Sequence, residues 1–141
     1  MNAPGSLGDR VCLVTGAGRG IGQAAARVLA AAGARVVVAD ISDSGAAVVE
    51  EIKETGGKAC FVQADVSTDA GAQTSVTETL SAFGQLDSLV NNAGILRLAD
   101  SFEKTTDTQL SDMMRINFES VFRLSKASLP ALEASGRGSI V

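Results

Sequence analysis

Four glycines fall within eight residues in Thr15-Gly16-Ala17-Gly18-Arg19-Gly20-Ile21-Gly22. The segment follows a short apolar run and precedes a helical apolar pattern. A helix N-terminus presents unpaired N–H groups and a partial positive charge, so it draws a phosphate. A diphosphate comes that close only where the turn lacks side chains. Gly16 can supply the tight turn, Gly20 the close backbone approach and Gly22 the packing of helix on strand. Gly18, Arg19 and Ile21 complete the cradle. An ordinary glycine-rich turn would read the same in isolation, but the strand before and the helix after are the context that favours phosphate. Twenty residues beyond Gly20 stands Asp40, closing the second apolar run, with Ile41 after it. A carboxylate there accepts hydrogen bonds from both hydroxyls of an adenosine ribose and repels a 2′-phosphate, which favours NAD over NADP. Arg19 argues the other way, because a basic residue in the turn can reach a 2′-phosphate. Asp40 weighs more, since it would sit directly against the 2′ oxygen.

Absences narrow the chemistry further. The 141 residues include no histidine and no tyrosine, so no His or Tyr acid/base and no His-ligated metal can be built from them; no metal site is expected. Cys12 and Cys60 each lie in an apolar run and read as buried thiols, not a disulfide framework. Twelve Lys and Arg against sixteen Asp and Glu give a net charge of −4, which argues against a nucleic-acid or anionic-membrane surface. No apolar run reaches the roughly 18 residues of a membrane helix. Met1 to Asp9 is too polar for a signal peptide, so the expected compartment is the cytoplasm. At 45% hydrophobic the chain can bury a core, and its length fits one domain, residues 1–141.

The elements that must hold these residues alternate. Val11–Thr15 and Arg35–Asp40 read as buried strands, joined by a helix from Ile21 whose stripe is Ile21, Ala25, Val28, Leu29 and Ala32, closed at Gly33. Val48, Val49 and Ile52 mark a second helix, ended by Gly56-Gly57, and Ala59–Ala64 a third strand. Ala72, Val76, Leu80 and Phe83 mark a third helix, ended by Gly84, and Leu86–Asn91 a fourth strand. After a loop from Gly94 to about Thr106, the pattern from Asp107 to about Ala134 predicts a long helix. It carries two apolar stripes: Leu110, Met113, Asn117, Val121 and Leu124 on one, Phe118, Phe122 and Leu129 on the other. Two stripes predict burial on two sides, and Pro130 predicts a kink or break. Gly138–Val141 opens a fifth strand. Such alternation predicts an α/β fold, a doubly wound, Rossmann-like parallel sheet with helices on both faces.

These residues resemble the short-chain dehydrogenase/reductase family. The glycine spacing is Gly-x-x-x-Gly-x-Gly (Gly16, Gly20, Gly22) after Thr15; Asn91-Asn92-Ala93-Gly94 follows the fourth strand; Asp65-Val66 ends the third; Asn117 lies within Arg115-Ile116-Asn117-Phe118. The resemblance covers residues 10 to 141 and implies strand order 3-2-1-4-5. It also implies that Asp65 and the Val66 N–H contact the adenine ring. Asn91, Asn92, Ala93 and Gly94 would floor the ribose and nicotinamide, and Asn117 would join the catalytic apparatus, holding a water through a local disturbance of the helix. The implied activity is hydride transfer between a nicotinamide cofactor and a small-molecule alcohol or carbonyl, in a homo-oligomer paired through the long helix, 107–134.

The chain departs from the family in one respect. The family's acid/base is a tyrosine in a Tyr-x-x-x-Lys motif after the fifth strand, and its substrate-orienting serine ends that strand. Here the sequence stops at Ser139-Ile140-Val141, and neither Ser125, Lys126 nor Ser139 stands at those places. The expectation is a cofactor-binding half, incomplete at the C-terminal side, with no turnover by itself. Two other readings remain: a non-catalytic NAD-binding module, and a methyltransferase, which the Asn91 to Gly94 run and the glycine spacing disfavour. Only Ile95-Leu96-Arg97-Leu98 would add to a substrate pocket.

Overall fold

A computed structural model describes residues 7–97 and 99–141; Met1 to Ser6 and Leu98 lie outside them. Five parallel strands form one sheet in the order β3-β2-β1-β4-β5. They are β1 (Val11–Thr15), β2 (Arg35–Asp40), β3 (Lys58–Gln63), β4 (Ser88–Val90) and β5 (Ser139–Ile140). Between them run α1 (Gly20–Ala31), α2 (Gly45–Glu54) and α3 (Asp69–Phe83). From β4 to β5 the chain passes through a short 3-10 turn (Phe102–Lys104), α4 (Asp107–Met114), a π-helical stretch (Arg115–Glu119) and α5 (Ser120–Ala134). The doubly wound order expected from the sequence is the one found.

Both faces of the central strands β1 and β2 are covered, so each carries an uninterrupted apolar run, while both residues of β5 are exposed. Val11, Leu13, Val37 and Ala39 point to one side, where they meet Val76 of α3 and Leu124 and Leu132 of α5. Cys12, Val14, Val36 and Val38 point to the other, against Ala26 and Ala30 of α1 and Val48, Val49 and Ile52 of α2. The period-2 alternation of a strand divides them. Cys12 is buried, Cys60 half-buried, and both are free thiols.

Several local expectations need correction. The buried row of α1 is Gly22, Ala26 and Ala30, while Ile21 and Val28 are exposed at 82% and 67%. The helix approaches β1 so closely at Gly22 that small residues line its inner face. β3 begins at Lys58, one residue earlier than expected, and β4 is limited to Ser88–Val90. Pro130 does not break α5, which runs on to Ala134. It lies on the exposed side near the helix end, where water can take the unpaired Lys126 carbonyl. The interruption falls instead at Arg115–Glu119, around Asn117. Of the two stripes on this long segment, the first delivers Leu124 to the core. Phe118, Phe122 and Leu129 remain 66%, 65% and 48% exposed, so burial on two sides is not met within one chain.

Candidate functional site

The glycine turn sits at the carboxyl edge of the sheet, between β1 and α1. Arg19 precedes the helix in an extended conformation, and no side chain caps it. The first-turn amides of α1, which lack intrahelical partners by construction, therefore carry no competing acceptor from a cap, and no acidic residue occupies that turn. Gly20 has φ +59°, and a Cβ built on it would meet nothing within 4 Å. Positive φ excludes most side chains there, and the space above the helix opening stays clear. Gly16 (φ +60°) and Gly22 are glycines because of what lies against them. A Cβ on Gly16 would come 2.8 Å from the Ala93 Cα, and one on Gly22 2.4 Å from both the Asn92 Nδ2 and the Gly16 carbonyl. These residues fit a diphosphate-bearing nucleotide: the turn is bare and the helix mouth uncapped.

Asp40 closes β2 beside this turn and faces it. Its Oδ2 accepts from the Gly18 N–H at 2.8 Å, and its Oδ1 accepts from the Ser42 N–H and Ser42 Oγ, each at 3.0 Å. Ile41 and Arg19 are exposed at the same rim. At the end of β3, the Asp65 Oδ1 accepts from the Ser67 N–H at 3.0 Å and from Ser67 Oγ at 2.6 Å. Val66, next in the chain, is buried.

The loop after β4 is tied to β1 through Thr15. The Thr15 Oγ1 accepts from the Asn92 and Ala93 N–H groups, both at 3.1 Å, and the Asn92 Nδ2 donates to the carbonyls of Thr15 (2.9 Å) and Gly16 (3.1 Å). Asn92 therefore braces the glycine turn from beneath. The neighbouring Asn91 donates its N–H to the Val141 carbonyl, while its buried Nδ2 has no partner. Asn117 reaches this loop from the π-helical stretch. Its Oδ1 accepts from the Ile95 N–H at 2.7 Å and its Nδ2 donates to the Ile95 carbonyl at 2.8 Å. An amide retains a second lone pair and a second proton beyond such a pair, and Asn117 is exposed enough for water to use them. Gly94 lies alongside, where a Cβ would stand 3.3 Å from the Asn117 Oδ1. The turn, Asp40, Asp65, the Asn92 loop and Asn117 thus share one edge of the sheet.

The sequence matches the family of short chain dehydrogenases over residues 10–141. The chain belongs to that family. It is 42% identical to an uncharacterized oxidoreductase of Thermotoga maritima over 94% of this chain and 52% of the relative. It is 40% identical to a 3-oxoacyl-acyl-carrier-protein reductase of Escherichia coli over 94% of this chain and 53% of that protein. With a 2,5-dichloro-2,5-cyclohexadiene-1,4-diol dehydrogenase of Sphingobium indicum it shares 37% identity over 96% of this chain and 54% of the relative. The chain spans about half the length of these curated relatives.

Within this short-chain dehydrogenase fold, sequence reasoning missed three groups. Ser42 and Ser44 line the Asp40 rim, and nothing in their spacing marks them. Arg115, first residue of the π-helical stretch, donates to Ser67 Oγ and so reaches Asp65 through that serine. Asp87 is wholly buried at the opposite, amino edge of the sheet. It accepts from the Val11 N–H (2.7 Å), Gln85 Nε2 (2.6 Å) and Arg137 Nε (2.8 Å). Burial pushes the Asp87 carboxyl up, but these donors, Arg137 foremost, outweigh it and hold it below its ordinary value. Burial also raises both cysteine thiols. Among the described residues no three His, Cys, Asp or Glu gather as a metal site, and no helix is long and apolar enough to cross a membrane.

Proposed function

We propose that this chain is the cofactor-binding half of an NAD-dependent short-chain dehydrogenase acting on a small-molecule alcohol or carbonyl. The single observation that carries the reading is the juxtaposition of an uncapped helix mouth with a carboxylate fixed beside it: the Gly18 N–H holds the Asp40 Oδ2 at 2.8 Å. The amides from Gly20 to Gly22 bind the diphosphate, with Gly16, Gly18, Arg19 and Ile21 shaping the turn. Asp40 and Ile41 take the adenosine ribose, and Asp65 and Val66 the adenine. Asn92, Ala93 and Gly94 support the ribose on the nicotinamide side. When bound, the nicotinamide supplies or accepts the hydride. Asn117 anchors the loop at Ile95 and offers its spare hydrogen-bonding capacity to a water.

NAD is preferred because a 2′-phosphate would stand against the Asp40 carboxylate, and like charges at contact distance in a partly buried site repel strongly. The exposed stripe of Phe118, Phe122 and Leu129 is the surface through which two copies pair. The compartment is the cytoplasm, consistent with the polar balance of the chain. No tyrosine is among these 141 residues to protonate the substrate oxygen, so no turnover is expected of them alone.

The test compares NADH and NADPH binding for wild type and Asp40→Ala in the protein at its natural length. Asp40→Ala should weaken NADH and improve NADPH. An unchanged ratio would remove Asp40 from the ribose site. Turnover by the 141-residue chain alone would refute its assignment as the binding half.

A further inference from the structure

The carboxylate that follows β3 is held from a distant part of the chain. The Asp65 Oδ1 accepts from the Ser67 N–H at 3.0 Å and from Ser67 Oγ at 2.6 Å. A serine hydroxyl has one proton, and here it goes to the carboxylate. The lone pairs left on Ser67 Oγ face Arg115, whose Nη1 donates to them. The Arg115 Nη2 meets the Asp112 Oδ1 at 3.4 Å, so the planar fork spans two anchors that a point charge could not hold together. Ser67 is buried at 3% exposure, which denies its hydroxyl water as a substitute partner. Donation from a cation polarises that hydroxyl and strengthens its own bond onward to Asp65. No donor among the described residues reaches the Asp65 Oδ2, and that oxygen is open to a ligand. The backbone of the turn stands without this arrangement: the Thr68 N–H and Oγ1 both donate to the Asp65 carbonyl, at 3.1 and 2.8 Å. What Arg115 and Ser67 add is the direction of one carboxylate.

We propose that Arg115, acting through Ser67, is a positioning residue for recognition of the adenine base. It pins the Asp65 Oδ1 inward and so presents Oδ2 to the exocyclic amino group. The proposal rests on the reading that Asp65 takes the adenine, and it adds the residues that aim it. An unpinned carboxylate would turn among water partners, and the base would have to order it on arrival. One held at Oδ1 is already oriented, so that cost is absent from binding. Arg115 opens the same π-helical stretch that carries Asn117, and one irregular turn then serves both ends of the dinucleotide.

The test uses the natural-length protein and two dinucleotides: NADH, and its reduced hypoxanthine analogue, in which a carbonyl replaces the adenine amino group. Dissociation constants are read by nicotinamide fluorescence. Wild type should prefer NADH by about tenfold or more, as expected for a hydrogen bond to a charged group. Arg115→Ala should narrow that preference about three- to fivefold, and Ser67→Ala should do the same. The double variant should narrow it no further than either single change, because both cut one path. Val66 is unchanged throughout, so its contribution cancels. Without cofactor, the Ser67 amide, which donates to the pinned oxygen, should exchange faster in Arg115→Ala. An unchanged preference or unchanged Ser67 exchange in Arg115→Ala, or additive losses in the double variant, overturns the proposal. So does equal weakening of both dinucleotides with a lower melting temperature, the mark of a merely structural role. Asp65→Ala separates the two ideas: if it narrows the preference while Arg115→Ala does not, the positioning role fails and the adenine reading stands. If Asp65→Ala leaves the preference unchanged, both fall.

Discussion

Asp87 offers a quantitative test of how the sheet is held in register beneath the site. It is 0% exposed and accepts three hydrogen bonds, from the backbone of β1, from Gln85 and from Arg137. In Asp87→Ala the Val11 N–H is left buried without its side-chain acceptor, at about 1–3 kcal/mol. Arg137 is 40% exposed and can turn to water, so its share is discounted to about 1 kcal/mol. The sum, about 3 kcal/mol, falls at the low end of the range for breaking a buried pair. At two to four degrees per kcal/mol this lowers the melting temperature by about 10 °C in a domain of 150–250 residues. Asp87→Asn should cost less, about 1–2 kcal/mol, since an oxygen in place of Oδ2 still accepts from Val11 and Gln85 while the amide protons oppose Arg137. The pH dependence has a definite sign. A carboxyl with a lowered native pKa adds stability that is fully present above its unfolded value and disappears as the pH falls through the native one. Wild type and Asp87→Ala should therefore converge in acid and diverge toward neutrality. Urea unfolding followed by far-UV circular dichroism from acid to neutral pH suits a domain without tryptophan here. An alanine variant within about 0.5 kcal/mol of wild type at neutral pH, or asparagine costing more than alanine, would refute the accounting.

Other expectations concern the cofactor edge and the thiols. Gly22→Ala puts a methyl against the Asn92 Nδ2 and two backbone atoms; it should cost about 1–3 kcal/mol in unfolding experiments and weaken NADH binding measurably. Thr15→Val strips the Asn92 and Ala93 N–H groups of their common acceptor, and should destabilise by about 1–3 kcal/mol with faster amide exchange at both residues. Asn117→Ala frees both backbone groups of Ile95; because they can meet water, global stability should change by under about 1 kcal/mol while the Ile95 amide loses its exchange protection. Cys12 should resist a thiol reagent until unfolding and Cys60 should react first, since burial raises both thiols and Cys12 is more deeply enclosed.

Much of this was legible because it depends on backbone alone. Val36, Val37 and Val38 declare a two-sided buried strand, and a strand, a glycine turn and a helix in succession leave few places for Asp40 but the carboxyl edge. The misplaced stripe on α1 has a steric cause. Ile21 and Val28 belonged to the expected stripe by hydropathy, yet the inner face of α1 is chosen by distance: only glycine clears the Gly16 carbonyl at position 22, and only alanine fits behind it at Ala26 and Ala30. The π-helical turn at Asn117 is the local disturbance that the family resemblance implies; spacing alone does not show it, because one extra residue in a helix leaves an apolar pattern almost unchanged.

Side-chain hydrogen bonds are where the sequence is mute, and they decide how well the site is built. Thr15, Asn92 and Gly16 form a brace between β1 and the loop after β4. Asp40, Ser42, Ser44 and Gly18 form a second between β2, α2 and the glycine turn. Both braces converge on the same four-residue arc of backbone, Thr15 to Gly18, one from below and one from the side. A turn with this many glycines would lose much conformational entropy on ordering, about 1–2 kcal/mol per residue, and a ligand would otherwise have to supply it. Because the braces order the turn before any nucleotide arrives, binding energy is spent on the ligand and not on the loop. The glycines and the polar clamps are thus one device: the glycines remove the side chains, and the clamps replace the rigidity that their removal takes away.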